Sequence, residues 1–418
     1  MIFKDLFLQA IYSLISHGTH ALISILGIAW GIITVIILMT YGDGLNKALD
    51  YSMHGAYTDG TVIMWDGQTS KQAGGERAGR RVKLKEKDAF AIKELPSIKY
   101  ASPEYIETLP IAFGNKSIFM TVRGVSPEYG IMRQEIPAQG RFINDEDVKQ
   151  HKRVVFLGAF LARKLFRNGP AVGQEVKIKG LPFTVIGVLK VKPQIVTYRG
   201  PDNYSAFIPY TTVKQLWHRE YIENLIIQTK DTEQHQQTFQ QAIGVLANRH
   251  RFEPDDDRAI SRIDSKESTD ALNAVSIGLK VVLIFIGTLT LIVGGVGVMN
   301  IMLVSVEDRI SEIGIRKALG ATRWQILFQF LSEGLIITFI GGLVGIGCSY
   351  FIVKYIGSYP FLAALLEDET KQADIQMVIS PYVVITATII LILVGLVSGF
   401  IPARRAASLD PIESLRHE

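Results

Sequence analysis

The sequence predicts a membrane protein of four transmembrane α-helices, with a large extracytoplasmic α/β domain between the first and second. Three observations carry this prediction. Residues 6–42, 281–306, 334–353 and 375–403 contain no Asp, Glu, Lys or Arg, giving charge-free runs of 37, 26, 20 and 29 residues. Each run is long enough for a helix to cross roughly 30 Å of hydrocarbon at about 1.5 Å per residue. Between the first two runs, residues 43–278 mix charged, turn-forming and short apolar stretches, the pattern of a domain folded in water. Finally, short segments differ in basic residues: 306–327 carries Arg309, Arg316, Lys317 and Arg323, and the tail carries Arg404, Arg405 and Arg416. The loop 354–376 has only Lys354 and Lys371 against Glu367, Asp368, Glu369 and Asp374. Basic short loops are retained in the cytoplasm, so both termini and 306–327 are expected inside and 43–278 outside.

The composition narrows the class further. With 48% apolar residues gathered in runs and 20% charged, the chain is not a wholly soluble enzyme, a disordered tail or a collagen-like polymer. Its net charge of +4, from 44 basic and 40 acidic residues, gives no sign of nucleic-acid binding. A single cysteine, Cys348, excludes an intramolecular disulfide and any cysteine-based zinc site.

In chain order, residues 1–19 read as a cytoplasmic amphipathic lead-in helix and 20–42 as the first transmembrane helix. The apolar run is too long for a secretory signal core and lacks an Ala-x-Ala cleavage pattern, so it reads as an uncleaved anchor. Residues 43–278 form the outer domain. Leu45, Leu49 and Met53 continue at helical spacing after the first span, and Ser268 to Lys280 runs into the second without a proline. Helical stalks are therefore expected at both ends, although Gly42, Gly44 and Gly278 leave flexible linkers open.

Within the domain, strands are expected at Thr61–Trp65, Ser117–Val125, Asn224–Thr229 and Ala259–Ile263. Helices are expected at Glu86–Leu95 and at Thr232–Arg249, the latter opened by a Thr cap. Arg153–Phe166 reads as a strand running into a helix, and Val176–Gly187 as a hairpin turning at Gly180. Strand–helix–strand pieces at both ends, with a β-richer stretch between, predict a split βαβ subdomain carrying a β-rich inserted subdomain at about 126–212. Transmembrane helices follow at 279–305, 328–353 and 377–401, with the cytoplasmic segment 306–327, the outer loop 354–376 and the cytoplasmic tail 402–418 around them.

Chemical motifs are scarce. A nucleotide-binding loop needs glycine-rich backbone to wrap phosphates and a lysine to reach them, and the sequence contains no Gly-Lys dipeptide. There is no Gly-x-Ser-x-Gly and no His-Glu-x-x-His, and the eight histidines are scattered. No catalytic, cofactor-binding or metal-binding residue is assigned. Ion-coupled carriers need ionisable stations in their spans. Only Glu333 comes close, and an Arg-paired or surface role stands beside a relay for it. The spans instead carry close-packing signals: Gly27/Gly31, Gly341/Gly345 and Gly395/Gly399 lie four apart, and Gly294, Gly295 and Gly297 cluster. Such glycines let helix backbones approach, within one subunit or across a dimer.

The most specific stretch runs from Ser305 to Arg323. It reads as a short cytoplasmic helix that Ser311 can cap, with Glu312 four residues before Arg316 and Gly320 at its end. Its apolar Ile313, Ile315 and Leu319 suit either docking on a cytosolic partner or anchoring of the loop at the interface.

Residues Glu312 to Ala321 resemble the hallmark of the MacB/FtsX-type ABC transporter permeases, a coupling segment between the second and third spans. Three further stretches agree: Leu26-Gly-Ile-Ala-Trp-Gly31, Gly294-Gly-Val-Gly-Val-Met-Asn-Ile-Met302, and the tail from Pro402 to Arg416. The outer segment is similar to the MacB-type periplasmic core domain, notably Gly158–Phe166, Val172-Gly-Gln174 and the hairpin to Gly187. Where the family usually bears basic residues ahead of the first span, this chain has His17-Gly-Thr-His20.

The resemblance implies a porter-like outer domain in the periplasm, a multi-pass protein of the inner membrane, and ATPase coupling through Glu312, Ile313, Gly314, Ile315, Arg316, Lys317, Leu319 and Gly320. It further implies a separate ABC ATPase subunit that binds ATP and Mg²⁺, and a second permease copy as homodimer or paralogous heterodimer. A periplasmic adaptor and outer-membrane duct are further candidate partners, alongside membrane lipid. The implied function is relay of ATP-driven motion to the outer domain, for export of a drug or peptide or for lipoprotein extraction. The alternative is FtsX-like signalling that activates a cell-wall hydrolase or senses peptides.

Overall fold

The structure, a computed structural model, describes residues 18–167, 169–194, 197–365 and 371–411. The expected lead-in helix over 1–19 falls outside these residues except for Gly18 and Thr19, which already belong to the first long helix. Four helices are long and apolar enough to cross a membrane: α1 (Gly18–His54), α8 (Ser265–Asp308), α10 (Arg323–Ile356) and α11 (Pro381–Ser408). They are 37, 44, 34 and 28 residues long, and the second and third extend well beyond their charge-free runs of 26 and 20 residues.

The ends of these helices have local causes. Helix α10 starts at Arg323, five residues before the expected 328, because Thr322 caps it: its Oγ1 accepts from the Gln325 amide at 3.3 Å, and Gln325 Oε1 accepts from the Thr322 amide at 2.8 Å. Helix α11 starts at Pro381 rather than 377, with Ser380 as cap and proline at the first position, where a missing N–H costs nothing. It then passes through Pro402 and ends at Ser408, beyond the expected 401.

The chain divides into two compact units, one of residues 18–47, 274–360 and 374–411, the other of 48–273 and 361–373. Helices α1 and α8 run unbroken through the unit boundaries, so the stretches expected as stalks are helical and Gly42, Gly44 and Gly278 all lie inside helix. The membrane unit packs Ile28, Ile32 and Val35 of α1 around Leu291 of α8, Ile337 of α10 and Leu391 of α11.

The glycines make this packing close. A Cβ on Gly31 would stand 2.7 Å from Leu291 Cδ1, and one on Gly294 would stand 2.8 Å from the Gly27 carbonyl. Gly341 meets Ile28, Gly345 meets the Ala29 carbonyl, Gly395 meets Thr338, Gly295 meets Ser398 and Gly399 meets Leu331. Gly297 faces open space. All but Gly297 therefore serve contacts within the chain.

The outer unit is built on one continuous ten-stranded sheet among the described residues, in the order β10-β1-β9-β2-β3-β8-β5-β7-β4, with β6 bridging β2 and β7. The strands are β1 (Thr61–Asp66), β2 (Ile98–Phe113), β3 (Lys116–Val125), β4 (Pro137–Gly140), β5 (Val154–Leu157), β6 (Glu175–Ile178), β7 (Leu181–Leu189), β8 (Ala206–Pro209), β9 (Asn224–Thr229) and β10 (Ile260–Asp264). Helices α2 (Glu86–Lys93), α3 (Pro127–Met132), α4 (Asp145–Lys149), α5 (Ala159–Phe166), α6 (Tyr210–Trp217) and α7 (His235–His250) complete it.

The 16-residue β2 unites the two halves: its start pairs with β9 and its end with β3. Segment 126–212 thus supplies β4 to β8, which continue the same sheet. Alternation along β1 sends Val62 and Met64 to one core and Ile63 to the other, so both faces are covered. Helix α7 begins at His235, not Thr232, because Asp231 Oδ1 accepts the Glu233 amide at 2.8 Å and the chain turns first. The hairpin turn is Lys179-Gly180, with φ of 50° and 82°, as a two-residue hairpin requires.

A buried ionic network ties the halves together. Arg123 of β3 donates to Glu104 Oε1 of β2 at 2.8 Å and to the carbonyls of Tyr198 and Gly200 at 2.9 and 3.0 Å. Arg133 binds Asp202 at 2.6 Å, and Lys192 binds Glu135 at 2.7 Å and Asp202 at 2.9 Å. Three basic and three acidic side chains are buried here, each acidic group within reach of a basic one, as buried polar groups require.

Candidate functional site

The segment singled out by sequence is a helix held between two longer ones. Helix α8 ends at Asp308, Arg309 turns the chain as N-cap, and α9 (Ile310–Ala318) follows. Ser311 lies inside α9 and does not cap it. The helix stops at Gly320, whose φ of +100° suits glycine alone.

One side of α9 is locked into the membrane unit. Ile313 and Gly314 are buried, Ile313 in the cluster that includes Val306, Ile326, Phe330 and Ala406. Lys317 Nζ donates to the carbonyl of Ala407 in the last turn of α11 at 3.0 Å and to that of Leu409 just beyond it. Arg316 Nη1 donates to Gln329 Oε1 at 2.8 Å, so Arg316 is directed at α10 rather than at Glu312. Arg309 lies 3.5 Å from the buried Glu333, the Arg-paired arrangement among those the sequence leaves open for that residue. Arg405 of α11 pairs with Glu307 of α8 at 3.2 Å. Partial burial, together with the neighbouring Arg323, holds the Lys317 ammonium below its usual range.

The other side is open. Glu312 and Gly320 are exposed, and Ile315 and Leu319 present 48% and 84% of their surface. Beyond the turn, α10 adds Trp324 and Phe328, exposed at 69% and 61%, with their rings 6.2 Å apart. Leu319, Trp324 and Phe328 line a groove of about 740 Å³ with Arg316, Gly320, Ala321, Gln325, Ile326 and Gln329. Of the eight residues expected to face a partner, Glu312, Ile315, Leu319 and Gly320 are outward, Ile313 and Gly314 are core, and Arg316 and Lys317 hold neighbouring helices. Sequence reasoning passed over Trp324 and Phe328, although an aromatic pair four apart on a helix next to a basic loop was a signal for them.

No group of acidic, histidine or cysteine side chains among the described residues is arranged to hold a metal.

Comparison with known proteins agrees with this architecture. The MacB-like periplasmic core domain family matches residues 21–244, and the FtsX-like permease C-terminal family matches 284–411. The uncharacterized ABC transporter permease YknZ of Bacillus subtilis is 30% identical over 414 residues, covering 98% of each chain. The macrolide export ATP-binding/permease protein MacB of Bdellovibrio bacteriovorus is 30% identical over 98% of this chain and 61% of its own length. The crystal structure of the periplasmic region of MacB from Actinobacillus actinomycetemcomitans aligns with 53% of this chain and 95% of its own, at 20% identity and a TM-score of 0.43. With an outer-domain family matching more than half of the chain and a full-length relative at 30% identity, the protein belongs to the MacB/FtsX-like family of ABC transporter permeases.

Proposed function

We propose that this chain is the permease subunit of a MacB-type transporter that takes motion from a separate ATPase through α9 and the Trp324 groove. In this reading two copies pair, each ATPase subunit binds ATP and Mg²⁺, and α1 and α8 carry the movement to the outer domain. That domain then drives export of a substrate on the far side of the inner membrane. Both termini and α9 are cytoplasmic, following the basic residues of the short loops.

The observation that carries this reading is the two-sided character of α9. Its inner face is bolted to α10 and α11 by Arg316 and Lys317, while its outer face leaves large apolar side chains without cover. A force applied to the outer face is therefore delivered to the ends of two spans. Aromatic anchors flanked by charge are also what protein interfaces use as hot spots.

Copurification of the ATPase with Leu319→Glu and Trp324→Ala variants tests this. Association is expected to fall at least tenfold, with membrane insertion unchanged. Retained association in both variants defeats the docking reading in favour of an anchoring helix.

A further inference from the structure

One cleft of the outer unit has no part in coupling. It holds about 500 Å³ and opens where the end of β1, residues 81–84, the turn at 198–200 and the chain leading into β9 meet. That volume lies within the roughly 300–1,000 Å³ of small-molecule sites, which favour junctions between structural halves.

The walls are fixed before any ligand arrives. The Ile222 amide donates to the Leu84 carbonyl at 3.0 Å, and the Val82 amide to that of Gly67 at 3.0 Å. The turn carrying Tyr198 and Arg199 is gripped from beneath by the buried Arg123, which binds the carbonyls on either side of Arg199 at 2.9 and 3.0 Å. Thr121 Oγ1 donates to the Arg199 carbonyl at 3.2 Å. A rigid guanidinium fork holding a turn is a pre-organised wall.

The charges inside do not cancel. Asp66 is engaged by Arg81 at 2.5 Å. Glu223 accepts the Ile106 amide at 2.9 Å and lies 4.0 Å from Arg219, which reaches it from outside the lining. Asn224, at the floor, is spent on Glu104 at 2.6 Å. Lys83 and Arg199 make no ion pair among the described residues, the nearby Glu220 being taken by Lys85 at 2.8 Å. Lys83 Nζ is held over the Tyr221 ring, 4.7 Å from its centroid, Trp65 adds a second aromatic side chain to the lining, and Tyr198, its ring stacked by Arg123 at 4.7 Å and Arg133 at 5.1 Å, closes the wall.

We propose that this cleft is a binding site for an anionic amphipath: a flat apolar or aromatic body bearing one anionic group. The body lies against Trp65 and Tyr221, and the anion meets Lys83 and Arg199. The site goes beyond the coupling reading and stands without it, since binding here needs no ATPase.

Photolabelling tests the site on the full chain in neutral phosphatidylcholine nanodiscs, comparing 4-benzoylbenzoate with its neutral amide, 4-benzoylbenzamide, and mapping the labelled peptides. The carboxylate is expected to label peptides containing Trp65 or Tyr221 about tenfold more than the amide. Lys83→Gln with Arg199→Gln should bring the two probes level while the thermal transition of the outer domain is unchanged. Lys149→Gln with Lys177→Gln, which removes two exposed charges elsewhere, should leave the labelling at parent level. Equal labelling by the two probes in the parent, full carboxylate labelling in the Lys83/Arg199 variant, or an equal loss in the Lys149/Lys177 variant each overturns the proposal.

Discussion

Lys192 stands between two buried carboxylates, Glu135 at 2.7 Å and Asp202 at 2.9 Å, and one ammonium cannot neutralise both. Asp202 has Arg133 as well and is held well below the usual carboxylate range, despite its burial. Burial, reinforced by the Asp202 charge, pushes Glu135 up to about 8. Between the ordinary carboxyl value of 4.5 and about 8, the folded state therefore holds a proton that the unfolded chain has lost. Stability of the outer domain should then fall as pH rises through that window. Thermal unfolding of the purified chain at a series of pH values should show this slope, and Glu135→Gln should flatten it; an unaltered slope in the variant means another group titrates. At Arg123 the expectation is larger. Arg123→Met leaves Glu104 buried without its ion partner and releases the 198–200 turn, a loss of about 3–5 kcal/mol in urea unfolding.

Helix packing in the membrane unit distinguishes glycines that look alike in sequence. Gly31 and Gly345 each stand where a Cβ would meet a neighbouring backbone atom within 3.0 Å. Gly31→Leu or Gly345→Leu should cost about 1–3 kcal/mol by overpacking, measurable as lower resistance to SDS unfolding in mixed micelles. Gly297 has nothing within 4 Å, so Gly297→Leu should leave the isolated subunit as stable as the parent. At the coupling helix, Lys317→Met removes the donor to the C-terminal carbonyls of α11 but keeps the outer face of α9. ATPase association should survive while transport-linked ATP turnover falls; loss of association instead means that Lys317 itself contacts the partner.

The whole molecule is expected to sit with its large domain outside and α9 inside. Position 70, on the outer unit, and position 311, on α9, are both exposed. In a Cys348→Ser background, Ser70→Cys should react with an impermeant thiol reagent in intact cells with a permeable outer membrane, and Ser311→Cys should not. The reverse pattern inverts the topology.

Residues close in the chain made the architecture legible. A charge-free run of 20 or more residues has few fates in water, and a short β-prone apolar run such as Thr61–Trp65 between turn-forming residues reads as a strand, so the four spans and most outer-domain strands were readable from residue order. The coupling segment was likewise visible, because its charges, its apolar residues and Gly320 lie within one short stretch, although Ser311, expected as its cap, lies inside the helix. Its allocation of faces was not. Which of Glu312, Arg316 and Lys317 looks outward depends on Gln329, which takes Arg316, and on an α11 carbonyl 90 residues away, which takes Lys317, and helical spacing says nothing of such acceptors. The long β2 was hidden because its two halves pair with different neighbours. The buried network drew its six charges from positions 104 to 202, each of which reads as a surface residue in its own neighbourhood. Local propensity is decided by neighbours in the chain; the burial of charge is decided by neighbours in space, and only the folded chain supplies those.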